Sequence, residues 1–147
     1  MNSALKKDIK QEDYFGTPTL KEIKDLFKGK PVFKGKNKVI KIIFKMVSEP
    51  SLMGLDYSDI NLVIQKADSY LTIFCYLKEL SKYQNKIDSA FGSIVSITIG
   101  ENGTLGHVNS ILEGYFSKQN MLVPLAWVSK KIQDDNPKIE VLLAFKK

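Results

Sequence analysis

The residues best suited to ligand binding lie in one short run, Y-L-T-I-F-C-Y-L-K at residues 70–78. Side chains of a β-strand alternate between its two faces, so Tyr70, Thr72, Phe74, Tyr76 and Lys78 would share one face. Three rings, a hydroxyl and a cation in a row suit flat, negatively charged ligands, of which single-stranded nucleic acid is the commonest. A plainer alternative stays open, because aromatic residues favour strands and a second layer of the fold would bury the same rings.

The positive charge of the chain is concentrated in its first third. All 22 basic residues of the 147 are lysines, and the formal net charge is +6. Residues 1–45 hold twelve lysines and five acidic residues, whereas residues 46–147 hold ten lysines and eleven acidic residues. Such an asymmetry favours a polyanionic partner, although a solvated lysine-rich face is an equally ordinary explanation.

Lysine contacts phosphate as a point charge and lacks the planar fork with which arginine reads guanine. We therefore expect phosphate contacts without strong sequence preference. The predicted nucleic-acid-binding set consists of three stacking rings, lysines near the predicted strands, and a basic loop: Tyr70, Phe74 and Tyr76; Lys41, Lys45, Lys66 and Lys78; Lys34, Lys36 and Lys38.

Catalytic and metal-binding residues are sparse. His107 is the only histidine and Cys75 the only cysteine, so zinc ligation is not expected and an internal disulfide is excluded. Cys75 falls on the aliphatic face of its strand, which predicts an inert, buried thiol rather than a nucleophile. The sequence predicts a protein that is not an enzyme and has no metal or cofactor.

The elements that would position these residues alternate between apolar patterns and turn signals. A capping box at Thr19 and Glu22 predicts a short helix that ends near Gly29. Residues 79–91 predict a second helix, and residues 108–119 fit a helix or a strand. Pro124 predicts an edge or a bulge. The predicted strands are residues 39–47, 60–65, 70–78, 93–99, 121–128 and 139–145.

Three strands, a helix and two more strands are the order of an OB-fold, a small five-stranded barrel. The predicted fold class is therefore mainly β (α+β): an OB-like barrel with a helix between strands 3 and 4, an N-terminal helix and a C-terminal extension. We expect residues 1–16 to form a flexible leader and residues 17–147 a single domain. The apolar C-terminal third, residues 121–145, exceeds what such a barrel needs and predicts a homo-oligomer or partner surface.

Residues 62–100 also resemble a known family. An alternating strand ending at Tyr76, a helix with the pair Lys82 and Tyr83, and an apolar strand between Gly92 and Gly100 look like the OB domain near the C-terminus of bacterial DNA polymerase III α subunits. The similarity extends loosely over residues 19–128 and includes no polymerase catalytic region. The resemblance implies a nucleic-acid-binding module, not a polymerase. Strands two and three of an OB-fold present its usual ligand face, where the rings of Tyr70, Phe74 and Tyr76 would lie.

The sequence thus predicts a single-stranded nucleic-acid-binding OB protein, acting in DNA replication, repair or recombination. The alternative is a protein-interaction module, such as an adaptor, inhibitor or immunity-type protein, whose lysines form a basic docking surface. Because residues 1–13 contain no apolar segment typical of a secretory signal, and no apolar run is long enough to span a bilayer, the expected compartment is the cytoplasm.

Overall fold

The structure, a computed structural model, describes residues 18–48, 57–128 and 136–147. The helices are α1 (Leu20–Leu26), α2 (Lys36–Ser48), α3 (Tyr57–Lys66), a 3₁₀ helix η1 (Leu77–Tyr83), α4 (Gln84–Ser89) and α5 (Leu105–Phe116); the strands are β1 (Ser69–Tyr76), β2 (Gly92–Ile99), β3 (Met121–Val128) and β4 (Lys138–Phe145). Three helices precede the first strand, and further helices lie between β1 and β2 and between β2 and β3.

The four strands form one open sheet in the order β1-β4-β2-β3. The last strand in the chain, β4, lies between β1 and β2 and is antiparallel to both. β2 and β3 are parallel, and α5 connects them, as a crossover between parallel strands requires. The described sheet therefore has two edge strands, β1 and β3.

Helices cover both faces of the sheet, so the described elements form three layers. On one face, called face A here, α1, α2 and α3 pack through Ile23, Ile43 and Ile60 onto residues such as Ile94 and Leu142. On the opposite face, called face B, η1, α4 and α5 pack through Leu80, Ile87 and Val108 onto Val95, Ile97, Ile139 and Val141. Both clusters are strongly apolar, and burial on both faces explains why β2 and β4 read as nearly continuous apolar runs.

The prediction of an OB-fold barrel is wrong, because two of its strands are helices. Residues 39–47 belong to α2, whose buried residues Val39, Ile40, Ile43 and Met46 recur at helical spacing. Residues 60–65 belong to α3, where Ile60, Val63 and Ile64 are buried. Both segments are rich in β-branched residues and show local alternation, but they are amphipathic at the helical period as well. The sheet has four strands and does not close into a barrel.

The other predicted elements are confirmed, with shifted ends. Thr19 and Glu22 form the capping box that starts α1: the Thr19 N–H donates to the Glu22 carboxylate at 2.8 Å, and the Glu22 N–H donates to Thr19 Oγ1 at 3.2 Å. The ambiguous residues 108–119 lie mostly in α5. Pro124 lies in an edge strand, as its missing N–H predicted. The predicted strand at 70–78 ends at Tyr76, where η1 begins.

The expected leader at residues 1–16 lies outside the described residues. The apolar C-terminal third is not the surface we expected, because residues 139–144 of β4 are buried in the middle of the sheet. No helix in the described ranges combines the length and apolarity that a membrane crossing requires.

Candidate functional site

The face of β1 that carries the aromatic rings is packed against helices, which matches the plainer alternative. Tyr70 is only 8% exposed. Its ring centroid lies 5.7 Å from that of Phe27 and 5.1 Å from that of Phe33, so three rings form one cluster on face A. The phenol O–H donates to the carbonyl of Ile64 at 2.6 Å. Burial of this hydroxyl raises the pKa of Tyr70 to about 12. Tyr70 is therefore a core residue.

Phe74 lies half-buried beside a small charged cluster. Lys38 Nζ lies 4.1 Å from the centroid of the Phe74 ring, within the range of a cation–π contact. The same ammonium lies 3.7 Å from Glu140 Oε2, and Lys138 Nζ approaches that oxygen to 3.8 Å. The Glu140 side chain is 7% exposed, whereas both lysines are about half-exposed. Lys38 and Lys138 thus neutralise a buried carboxylate, and Lys38 is directed at Phe74 and Glu140 rather than at an open groove.

Ser96 is the direct neighbour of Glu140 across the β2–β4 ladder. Its hydroxyl is fully buried and has no hydrogen-bond partner within the described parts of the chain. This orphan hydroxyl and the Glu140 ion pairs make the middle of face A locally polar. Sequence reasoning missed Ser96, because residues 93–99 predicted a strand and no polar position within the core.

The remaining residues of the predicted binding set are dispersed over several elements. Tyr76 is 47% exposed at the end of β1. Lys41 and Lys45 lie on the exposed side of α2, Lys34 and Lys36 lie before and at its start, Lys66 ends α3, and Lys78 lies in η1. Because residues 39–47 are helical, Lys41 and Lys45 do not share a sheet with the three rings. From this set, the structure brings Lys38 and Phe74 into contact.

Residues 33–35 run over face A along β1. Besides the Phe33–Tyr70 contact, the Thr72 hydroxyl donates to the carbonyl of Lys34 at 2.9 Å. Gly35 adopts a positive φ of 83°, and a Cβ at that position would lie 3.0 Å from the Phe74 ring. The described contacts of this segment with β1 involve side chains, and no main-chain hydrogen bond joins the two. It covers the face of the strand and leaves its main-chain edge free.

The outer edge of β1 is the feature that sequence reasoning missed. Among the described residues, β1 pairs with β4 on one side only, and Leu71 on face B is 36% exposed. The eight residues Ser69–Tyr76 include no charged residue and no proline. The signal was present in the sequence as an uncharged strand, but which strand forms the edge of a sheet depends on the tertiary fold.

Cys75 and His107 do not form a reactive pair in this arrangement. Cys75 is half-buried on face B, and burial together with the nearby Glu79 carboxylate raises the pKa of its thiol, which disfavours the reactive thiolate. His107 is exposed in the first turn of α5, where its main-chain N–H donates to the capping hydroxyl of Thr104 at 3.1 Å. The described residues contain no group of three or more histidine, cysteine or acidic side chains able to hold a metal ion.

Comparison with known proteins finds a likeness in structure alone. No family model matches the sequence, and no curated protein matches it. Among solved structures, an FtsZ dimer from M. jannaschii superposes with a TM-score of 0.61 at 17% identity, and covers 83% of this chain and 43% of that one. An FtsZ mutant from the same organism gives a TM-score of 0.58 at 14% identity, over 82% of this chain and 44% of that one.

A third similar structure is CetZ from Methanosaeta thermophila, with a TM-score of 0.51, 11% identity, and coverage of 76% of this chain and 36% of that one. The chain therefore shares its fold with a part of FtsZ and CetZ, and spans less than half the length of these proteins. The resemblance to a DNA polymerase III OB domain is wrong, because the similar structures belong to a different fold.

The functional predictions built on the OB-fold are wrong with it. The FtsZ and CetZ structures that share the fold do not point to a single-stranded DNA or RNA partner, or to a role in replication, repair or recombination. The Tyr70 ring, which was expected to stack on bases, is enclosed by Phe27 and Phe33. These similarities do not support the alternative of an adaptor, inhibitor or immunity-type module with a basic docking surface either.

Proposed function

We propose that this chain is a non-enzymatic assembly domain, which associates with further copies of itself. The observation that carries the proposal is the uncharged outer edge of β1, a row of main-chain groups open to another strand. The fold likeness agrees with it, since the M. jannaschii FtsZ structure with the same fold is described as a dimer.

A non-enzymatic role is supported by the ion pairs of Glu140 on face A. Glu140 is the one buried carboxylate in the described ranges, and both lysines that approach it are within 4 Å. Its charge is compensated within the fold. This is the arrangement expected of a structural ion pair that is retained for the specificity of packing. We also propose the cytoplasm as the compartment, since a single cysteine suits a protein that does not depend on internal disulfides.

The test is the mass of the chain in solution as a function of concentration. In sedimentation velocity, we expect the weight-average mass to rise above the 16.6 kDa of one chain as the concentration is raised from micromolar to millimolar. A mass that stays at that of one chain over the whole range would contradict the proposal.

A further inference from the structure

The direction of the main-chain groups of β1 follows from one hydrogen bond beyond its end. The Leu77 N–H donates to the carbonyl of Pro137 at 2.8 Å, and this pair continues the register in which Tyr76 faces Lys138. Residues of an antiparallel strand direct their N–H and C=O groups alternately toward and away from the neighbouring strand. Odd-numbered residues of β1 therefore bond to β4, and even-numbered residues direct their main chain outward.

Tyr76 provides an independent check of this alternation. The Tyr76 N–H donates to the Glu79 carboxylate at 3.3 Å. This bond lies outside the β1–β4 ladder, as expected of an N–H that points away from β4. The main-chain groups of Tyr70, Thr72 and Phe74 point the same way and have no main-chain partner within the described residues. The outer edge of β1 thus offers three consecutive outward residues to a further strand.

Within the described parts of the chain, the β1 edge has none of the features that normally prevent two sheet edges from pairing. Exposed edges are normally protected by lysine, by proline, by a bulge or by a covering segment. The other described edge, β3, carries Pro124. Ser69–Tyr76 has no charge and no proline, and its pairing with β4 runs in unbroken register from Ser69 to Tyr76. An edge of this kind is suited to pairing.

We infer that β1 pairs with β1 of a second copy, antiparallel about a two-fold axis at Thr72, so that two sheets join into one of eight strands. The inference rests on the proposed function and names its surface. In this register, Thr72 faces Thr72 of the second copy, and Tyr70 faces Phe74 of the second copy. The outward main-chain groups of the two β1 strands then form about six hydrogen bonds. A two-fold axis requires a self-complementary surface, and an uncharged strand meets itself without opposing like charges.

The side chains near the axis fit this register. On face B, Leu71 faces Ile73 of the second copy, and the 36% exposed Leu71 gains an apolar neighbour. On face A, the Thr72 hydroxyl is already bonded to the Lys34 carbonyl, so the residues next to the axis are held in place before association.

The first experiment compares two leucine-to-lysine variants by sedimentation velocity. Leu71→Lys places a charge beside the axis, and we expect it to raise the dissociation constant at least about tenfold. Leu62→Lys is the matched control, because Leu62 is similarly exposed at 41% but lies on α3. Circular dichroism confirms that both variants are folded. Equal dissociation constants for Leu71→Lys and the unmodified chain would overturn the inference.

The second experiment tests the register. In a Cys75→Ser background, Thr72→Cys brings two thiols together across the axis at a Cα separation of about 5.5 Å, within the range that disulfides span. We expect rapid covalent dimerisation on mild oxidation, and slow dimerisation of a Leu62→Cys control. Equal rates would overturn the register. If the unmodified chain does not associate, the proposed function fails; if it associates but neither β1 variant behaves differently from its control, only this inference fails.

Discussion

Tyr70 illustrates how one residue changes role between sequence and structure. Its place in an alternating aromatic strand could be predicted, and its partners could not. Phe27 precedes it by more than forty positions, and Phe33 reaches it from a connecting segment. Contacts of that sequence separation depend on how α1, α3 and β1 pack together, which local pattern does not encode. The alternating pattern of β1 does not show that the Tyr70 ring is buried, and it is buried because three helices cover that face of the sheet.

The raised pKa of Tyr70 makes stability depend on alkaline pH. In the folded chain the phenol keeps its proton to about pH 12, whereas in the unfolded chain it ionises near its usual value of about 10. Between these values the unfolded state binds fewer protons, so the free energy of unfolding falls as the pH rises. This contribution is fully present below about pH 10 and is lost toward pH 12.

We therefore expect Tyr70→Phe to lower the free energy of unfolding near neutral pH by about 1 kcal/mol, because the hydrogen bond to the Ile64 carbonyl is lost. The same variant should show a shallower loss of stability above pH 10. Urea unfolding at several pH values measures both effects. Tyr76→Phe, at an exposed position, is the control and should change the free energy near neutral pH by less than about 0.5 kcal/mol. Parallel alkaline curves for Tyr70→Phe and the unmodified chain would disprove the first prediction.

At the scale of elements, the strands of the sheet were easier to predict than the helices α2 and α3. β2 and β4 are buried on both faces and rich in β-branched residues, so several patterns agree on a strand. In α2, lysines alternate with apolar residues closely enough to imitate a strand with one solvated face. The helical reading places Lys38, Lys41 and Lys45 on one side and Val39, Ile40, Ile43 and Met46 on the other. The residues of α2 fit the period of a strand and that of a helix equally well. Packing against α1 and against face A of the sheet favours the helix.

Alanine substitutions at two glycines test whether the close contact between β2 and β3 contributes to stability. Gly92 starts β2, and a Cβ there would lie 2.7 Å from the carbonyl oxygen of Met121 on β3. Gly114 lies in α5, where a Cβ would meet nothing within 4 Å. We expect Gly92→Ala to lower the free energy of unfolding by about 1–3 kcal/mol through overpacking. Gly114→Ala should raise it by about 0.5–1 kcal/mol, because alanine loses less conformational entropy in a helix.

Chemical denaturation of the two variants beside the unmodified chain measures this difference. The two substitutions are identical in chemistry, so a difference in sign reports on the surroundings alone. If both variants shift the midpoint in the same direction, the close β2–β3 contact at Gly92 does not determine stability in the way its geometry implies.

At the scale of the whole molecule, the net charge of +6 opposes association of identical chains. Under the proposed function, salt should therefore strengthen assembly, since added ions shorten the range of the repulsion from about 10 Å at 0.1 M to about 3 Å at 1 M. We expect the dissociation constant of the unmodified chain to fall when sodium chloride is raised over this interval. Sedimentation velocity at fixed protein concentration measures it. A dissociation constant that rises with salt would instead indicate attraction between opposite charges.

The position of β4 has a consequence for the order in which the chain can fold during synthesis. β4 is the last described strand to be made, yet it supplies the partner for both β1 and β2. Until residues 138–145 have left the ribosome, β1 has no strand to pair with, and β2 has only β3. At an elongation rate of about 5–20 residues per second, the uncharged β1 waits several seconds with both edges unpaired. During this interval β1 is most exposed to pairing with a wrong strand. A chaperone that covers exposed strands would act on the chain at this stage.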